Sequence, residues 1–184
     1  MDSGAGDVLQ EPHPGWFSVF IQLMKLRVII LLQVTAVCAI LVHDLVIDLE
    51  RTWMDTLLTV GITVVGGTLS AGGSNAINMW YDADIDPLMR RTKNRPIPQG
   101  HISGGGALLF GLIIAVVGSS LFFLVSWKAA FWSFFSVFFY VLIYSMWLKR
   151  RTPQNIVIGG IAGSTPPLIG WAAAAGDSIL ESVN

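Results

Sequence analysis

A run of polar residues interrupts an apolar part of the sequence between Asn75 and Pro87. Asn78, Asp82 and Asp86 follow one another at intervals of four residues. On a helix they would share one face, with about 40° of rotation from each to the next. Carboxylates within a bilayer cost roughly 3 kcal/mol each on insertion scales, so the cluster calls for a cation. Oxygen ligands without His or Cys favour Mg²⁺ or Mn²⁺.

A second interpretation of the same residues remains open. The acidic side chains could form a solvated helix end that pairs with the arginines just downstream. A solvated end would not require the four-residue spacing or an asparagine one turn deeper, so we favour the metal site. Asp84 points to another side of such a helix, and Pro87 should end or bend the helix near that point.

The following segment supplies the opposite charge, because it contains Arg90, Arg91, Lys93 and Arg95. A basic loop is usually a signal of membrane topology. Here it lies within nine residues of the aspartates and contains two prolines, which suits a diphosphate clamp with metal on one side and guanidinium on the other. A second basic group would close over the same clamp; it consists of Lys149, Arg150 and Arg151. The chemistry predicted is ionisation of a diphosphate ester within apolar helices that shield the allylic cation from water.

The composition identifies the elements that must position these residues. The chain has 184 residues, of which 53% are hydrophobic and 12% are charged, and its mean hydropathy is +0.65. These values predict a membrane protein. A net charge of −1 argues against a nucleic-acid partner, and a single cysteine excludes a disulfide framework.

Hydrophobic stretches of the required length predict five membrane-spanning helices. The second contains many small residues, which suits close contact with neighbouring helices inside a bundle. The fifth contains Pro166 and Pro167, whose freed carbonyls need other partners. Residues 16–24 should form an amphipathic lead-in to the first span. The predicted spans are 28–42 with an extension towards Ile47, 57–81, 105–125, 129–148 and 156–175.

The distribution of basic residues predicts the orientation. Of eleven Lys and Arg residues, all but Arg51 and Lys128 fall on one side of the predicted spans, and cytoplasmic loops collect such residues. The N-terminus and both basic loops should therefore be cytoplasmic. We expect residues 1–15 to form a mobile cytoplasmic tail without a targeting signal, and residues 16–184 to form the transmembrane bundle.

Three stretches, NMWYDADID, RTKNRPIP and LKRRTPQNIVIGGIAGSTPPLIGWAA, resemble the intramembrane prenyltransferases of the UbiA superfamily, and within it the bacterial protohaem IX farnesyltransferases. The resemblance implies an all-α, multi-pass bundle of nine transmembrane helices in the bacterial inner membrane. It implies that farnesyl diphosphate, bound through Mg²⁺, transfers its farnesyl group to a vinyl group of protohaem IX to give haem O. Haem A synthase or terminal-oxidase assembly factors are the protein partners that it suggests, beside the lipid bilayer.

The resemblance also assigns roles to residues. Asn78, Asp82 and Asp86 would be the catalytic cluster that holds the metal and the diphosphate. The diphosphate would be bound by basic residues, namely Arg91, Arg95 and Lys149, with Lys25 or Arg27 as a weaker candidate. The similarity covers the first five of nine helices, so the second aspartate-rich motif and the haem-binding histidines have no counterpart here. We therefore expect this chain alone to lack turnover. His13, His43 and His101 are expected at the membrane interface.

Other functions remain open at this point. Another prenyltransferase, acting on a quinone precursor or a chlorophyll-like acceptor, would use the same aspartates. A cation-coupled transporter would also place carboxylates in the membrane, although no inverted repeat or paired broken helix is visible. A CDP-alcohol phosphotransferase would need an upstream pattern that this chain lacks, and a non-functional membrane fragment would expose its internal faces.

Overall fold

A computed structural model describes residues 15–47 and 51–176, and all regular secondary structure within these residues is helical. Most of the predicted 1–15 tail lies outside the described residues. Two short 3₁₀ turns, Asp86–Leu88 and Phe122–Leu124, and a π-helix, Phe139–Leu148, join the α-helices. The α-helices are α1 (Trp16–Met24), α2 (Leu26–Val46), α3 (Trp53–Tyr81), α4 (Gly104–Leu121), α5 (Trp127–Phe138) and α6 (Asn155–Ala174).

The predicted all-helical, multi-pass membrane fold is confirmed. Among the described residues, five helical stretches are long and apolar enough to cross a membrane. The second span begins four residues before its predicted start because Thr52 and Asp55 form a capping box. The Thr52 hydroxyl accepts from the Asp55 amide, and the Asp55 carboxylate accepts from the Thr52 amide. The spans are Leu26–Val46, Trp53–Tyr81, Gly104–Leu124, Trp127–Leu148 and Asn155–Ala174.

The small residues of α3 allow it to approach α4 closely, as predicted. A Cβ atom at Gly73 would collide with the backbone of Gly111 and Ala115, and one at Gly66 would lie 2.9 Å from the Gly118 carbonyl oxygen. Side chains at these contacts would force the two backbones apart. The α3–α4 pair is therefore a closely packed part of the bundle, from which the loop between the two helices emerges.

The two prolines of α6 lie inside a continuous helix and do not break it. Pro166 has no N–H to give to the Ala162 carbonyl, and the Thr165 hydroxyl donates to that oxygen instead at 2.8 Å. A hydroxyl on the same helix thus replaces the lost backbone bond, which is how membrane helices tolerate proline.

A polar network joins α2, α3 and α6 at the end opposite the aspartates. The Arg51 guanidinium donates to the Asp44 carboxylate at 2.9 Å, to the Ala174 carbonyl at 3.0 Å and to the Thr59 hydroxyl at 2.6 Å. His43 lies at this end, as predicted, but its side chain is only 4% exposed and packs edge-on against Trp171. The network connects three spans at the end of the bundle opposite the aspartates.

We expect Gly73→Ala to lower the stability of the chain, because the added methyl group meets backbone atoms of α4. Overpacking of this kind costs about 1–3 kcal/mol, or a fall of roughly 2–12 °C in the melting temperature of a chain of this size. The matched control is Gly61→Ala on the same helix, where a Cβ meets nothing within 4 Å. Thermal unfolding in detergent checks the pair, and equal melting temperatures would contradict the packing described.

Candidate functional site

The aspartates lie where α3 ends. The helix ends at Tyr81, as predicted for the second span, with Asp82 at its C-cap, and a 3₁₀ turn contains Pro87. One further turn of backbone follows, in which the Asp86 amide donates to the Asp82 carbonyl at 2.9 Å. This bond keeps the two aspartates one turn apart although Asp86 lies outside the helix. Asn78, Asp82 and Asp86 are 3%, 1% and 1% exposed, so the structure brings all three together in a buried position.

Two cations from distant parts of the chain meet these carboxylates. Arg95 donates to both oxygens of Asp86 at 2.8 Å and lies 3.8 Å from Asp82 Oδ2. The Lys149 ammonium donates to the same Asp82 oxygen. The Thr92 hydroxyl holds the Asp86 carbonyl at 3.0 Å, so the loop that carries Arg95 folds back over the aspartates. Two negative and two positive side chains therefore balance one another in this cluster, which we call the aspartate cluster.

A third cation reaches the aspartate cluster from the break between α1 and α2. Lys25 adopts a left-handed conformation, with φ of 55°, and its side chain is half-buried. The pKa of its ammonium is lowered to about 8, chiefly by burial and also by the charges of Arg95 and Lys149, against the opposing effect of Asp82 and Asp86. A bound anion would therefore stabilise the charged form of Lys25.

Two oxygens of the aspartate cluster are buried without a hydrogen-bond partner among the described residues. They are Asp82 Oδ1 and Asn78 Oδ1. Buried oxygens of this kind are costly unless something binds them, and carboxylate and amide oxygens are ligands that suit Mg²⁺. Within the described ranges no group of three or more His, Cys, Asp or Glu side chains is placed to hold a metal. The two unpartnered oxygens are therefore the feature of the cluster that suits a metal ion.

The remaining basic residues that the sequence indicated lie further from the cluster. Arg91 and Arg27 are exposed, and neither is among the ion pairs of the described residues. Their contact with a diphosphate stays a prediction. Arg150 pairs with Asp84, which is exposed on the other side of the turn, as its spacing predicted.

Sequence reasoning missed Asn75, which connects three helices next to the aspartate cluster. Its amide nitrogen donates to the Met24 carbonyl at 2.8 Å, and its amide oxygen accepts from the Tyr140 hydroxyl at 3.2 Å. Met24 is the last residue of α1 and precedes Lys25, so Asn75 fixes the chain break that carries this cation. The signal available in the sequence was an amide one turn before Asn78 in an apolar helix.

A cavity of about 360 Å³ lies between α2, α3, α6 and the helical stretch that follows α5. Asn75 and Tyr144 border it near the aspartates, and Thr63 and Phe122 border it towards the opposite end. Thr63 and Asn75 are separated by about 18 Å of helix, at 1.5 Å rise per residue. Tyr140 of the fourth span also borders this cavity. The cavity suits an extended apolar chain whose polar end points towards the cluster.

Comparison with known proteins assigns the family. The sequence model of the UbiA prenyltransferase family matches residues 31–183. The chain belongs to the UbiA prenyltransferase family. Together with the five apolar helices, membership makes the chain an integral membrane protein.

Several relatives carry a more specific name. Protoheme IX farnesyltransferase of Bartonella henselae is 45% identical over 172 residues, which are 93% of this chain and 52% of that protein. The enzyme of the same name from Bartonella bacilliformis is 48% identical over 164 residues, covering 89% of this chain and 50% of that protein. Protoheme IX farnesyltransferase 2 of Mesorhizobium japonicum is 47% identical over 165 residues, with 89% and 50% covered. The chain thus spans about half the length of these relatives.

A solved structure, described as digeranylgeranylglyceryl phosphate synthase in membranes, shares the fold. The TM-score is 0.73 at 20% identity, and the match covers 91% of this chain and 56% of that one. At this identity the likeness concerns the arrangement of the helices.

We expect Arg95→Gln to destabilise the chain, because it leaves the buried Asp86 carboxylate without its bidentate partner. Breaking a buried pair costs about 3 kcal/mol, which corresponds to roughly 6–12 °C in melting temperature for a chain of this size. Arg91→Gln removes the same charge from an exposed position of the same loop and should change it little. Thermal unfolding in detergent without ligand compares the two, and an equal loss in both variants would contradict the pairing.

Proposed function

We propose that this chain carries the farnesyl diphosphate site of a protohaem IX farnesyltransferase, which transfers a farnesyl group to a vinyl group of protohaem IX. The observation that carries the proposal is the aspartate cluster, in which buried carboxylates and cations from three segments meet beside an apolar cavity. The names of relatives that are 45–48% identical over about 90% of the chain support the acceptor and the prenyl group.

The cluster suits a metal-bound diphosphate. Asn78, Asp82 and Asp86 would hold Mg²⁺, and the two unpartnered oxygens are the first places for it. Mg²⁺ bound there would stabilise negative charge on the departing diphosphate. Arg95 and Lys149, which neutralise the aspartates without ligand, would turn to the diphosphate oxygens once the metal neutralises the carboxylates.

Lys25 would join Arg95 and Lys149 at the diphosphate, because its half-buried ammonium lies in the field of the same groups. These cations would lower the barrier to ionisation by stabilising charge that grows on the leaving group. The cavity would hold the farnesyl chain and exclude water from the allylic cation. Arg91 and Arg27 would contribute through the charge of the cytoplasmic mouth.

We propose further that the chain lies in a bacterial inner membrane with this mouth in the cytoplasm. Lys25, Arg95 and Lys149 lie at the aspartate end of the bundle, whereas Arg51 lies at the opposite end. This separation supports the orientation that the positive-inside rule predicts. The bacterial relatives support the membrane.

The proposal is tested by the binding of farnesyl diphosphate to the 184-residue chain in nanodiscs, measured by titration calorimetry. We expect binding that requires Mg²⁺ and disappears on chelation, because Arg95 and Lys149 stay paired with the aspartates until the metal neutralises these carboxylates. Asp82→Asn should abolish the metal-dependent part and leave membrane insertion intact. Metal-independent binding, or unchanged affinity in Asp82→Asn, would contradict the assignment of the cluster.

A cavity variant separates the two halves of the substrate. Gly163 borders the cavity, and a Cβ there meets nothing within 4 Å, so Gly163→Phe places a ring in the cavity without a backbone clash. We expect this variant to lose affinity for farnesyl diphosphate and to keep affinity for inorganic diphosphate with Mg²⁺. An equal loss of affinity for both ligands would contradict the assignment of the cavity to the farnesyl chain.

A further inference from the structure

Two consecutive residues after the fourth span form ion pairs with two acidic residues just after the end of α3. Lys149 contacts Asp82, and Arg150 contacts Asp84. Asp84 lies between the two members of the aspartate cluster in sequence, yet its side chain points away from them and is 60% exposed. Neither the metal site nor the diphosphate clamp gives it a role.

Arg150 is held by several contacts to one short segment. Its guanidinium donates to both oxygens of Asp84, at 2.6 and 2.9 Å, and to the Tyr81 carbonyl at 2.9 Å, and it lies 4.5 Å from the centre of the Tyr81 ring. A lone surface ion pair contributes little, but a bidentate pair within a network fixes geometry. The hydrogen bonds from Arg150 keep the pKa of Asp84 below its usual value, so the pair stays charged at neutral pH.

Two further hydrogen bonds hold the backbone at Lys149 and before it. The Tyr81 hydroxyl donates to the Met146 carbonyl at 3.0 Å, and the Asn155 amide donates to the Lys149 carbonyl at 3.1 Å. Lys149 follows a π-helix, whose backbone geometry is uncommon and needs support from its surroundings. With four rotatable bonds, the lysine ammonium reaches Asp82 reproducibly only if its backbone is fixed.

We propose that Asp84 is a positioning residue for diphosphate binding, which acts through Arg150 to hold Lys149 over the aspartate cluster. The proposal rests on the proposed function of that cluster. The Asp84 side chain pairs with Arg150 and not with the cations of the aspartate cluster, and the turn that buries Asp82 and Asp86 presents Asp84 to the segment that carries Lys149.

The direction in which one substitution changes the affinity for diphosphate distinguishes a positioning role from a purely electrostatic one. Asp84→Asn removes a negative charge near an anion site, so electrostatics alone predicts tighter binding of diphosphate. Positioning predicts weaker binding, because the released loop no longer presents Lys149. Coupling energies between contacting residues make the expected loss about three- to tenfold in affinity.

The first experiment measures the affinity of the 184-residue chain in nanodiscs for inorganic diphosphate with Mg²⁺ by titration calorimetry. We expect Asp84→Asn and Arg150→Gln to weaken binding and Asp84→Glu to restore most of it. In a Lys149→Gln background, Asp84→Asn should cause no further loss, since its effect passes through that lysine. Equal or tighter binding in Asp84→Asn, or a full additional loss in the Lys149→Gln background, would overturn the proposal.

A second measurement needs no ligand. The rate at which an amine-reactive reagent labels Lys149, followed by mass spectrometry relative to the exposed Lys93, should rise in Asp84→Asn because the ammonium leaves Asp82 more often. An unchanged relative rate would overturn the positioning role. If the wild-type chain bound no diphosphate while this rate still rose, the proposed function would fail and the positioning role would stand.

Discussion

The structure depends on the neutralisation of two carboxylates that are buried at the end of a membrane helix. Asp82 and Asp86 are each 1% exposed, and a buried charge is tolerated only when it is paired and hydrogen-bonded. Arg95 and Lys149 provide the pairing from segments far apart in the sequence. The loop after α3 and the end of the fourth span must therefore both return to the same point, and the rest of the bundle makes this possible.

Close packing places these segments. Glycine contacts bring α4 close to α3. The loop that joins the two helices can therefore fold back over the aspartates. On the other side, α1 packs through Val19 and Leu23 against Ala76 and Met79, and Asn75 holds the end of α1. Asn75, which borders the cavity, thus also fixes the chain break that carries Lys25, and this links the apolar and the charged parts of the proposed substrate site.

Hydropathy was sufficient to predict the five spans, and the four-residue spacing was sufficient to single out the three polar residues that the structure brings together. The choice among basic residues was not predictable in the same way. Arg95 pairs with the aspartates and Lys25 is half-buried, whereas Arg91 and Arg27, which lie close to them in the sequence, are exposed. The π-helix and the bond from Tyr140 to Asn75 depend on packing between distant helices, which no local pattern records.

Charge balance in the cluster leads to one direct measurement. With the carboxylates already paired, a divalent ion alone adds positive charge and a diphosphate alone adds negative charge, whereas the two bound together largely offset one another. Electron paramagnetic resonance of Mn²⁺, titrated into the chain in nanodiscs with and without inorganic diphosphate, measures this coupling. The account predicts that diphosphate strengthens Mn²⁺ binding at least about tenfold, a coupling of roughly 1.4 kcal/mol. Mn²⁺ that binds equally well without diphosphate would contradict it.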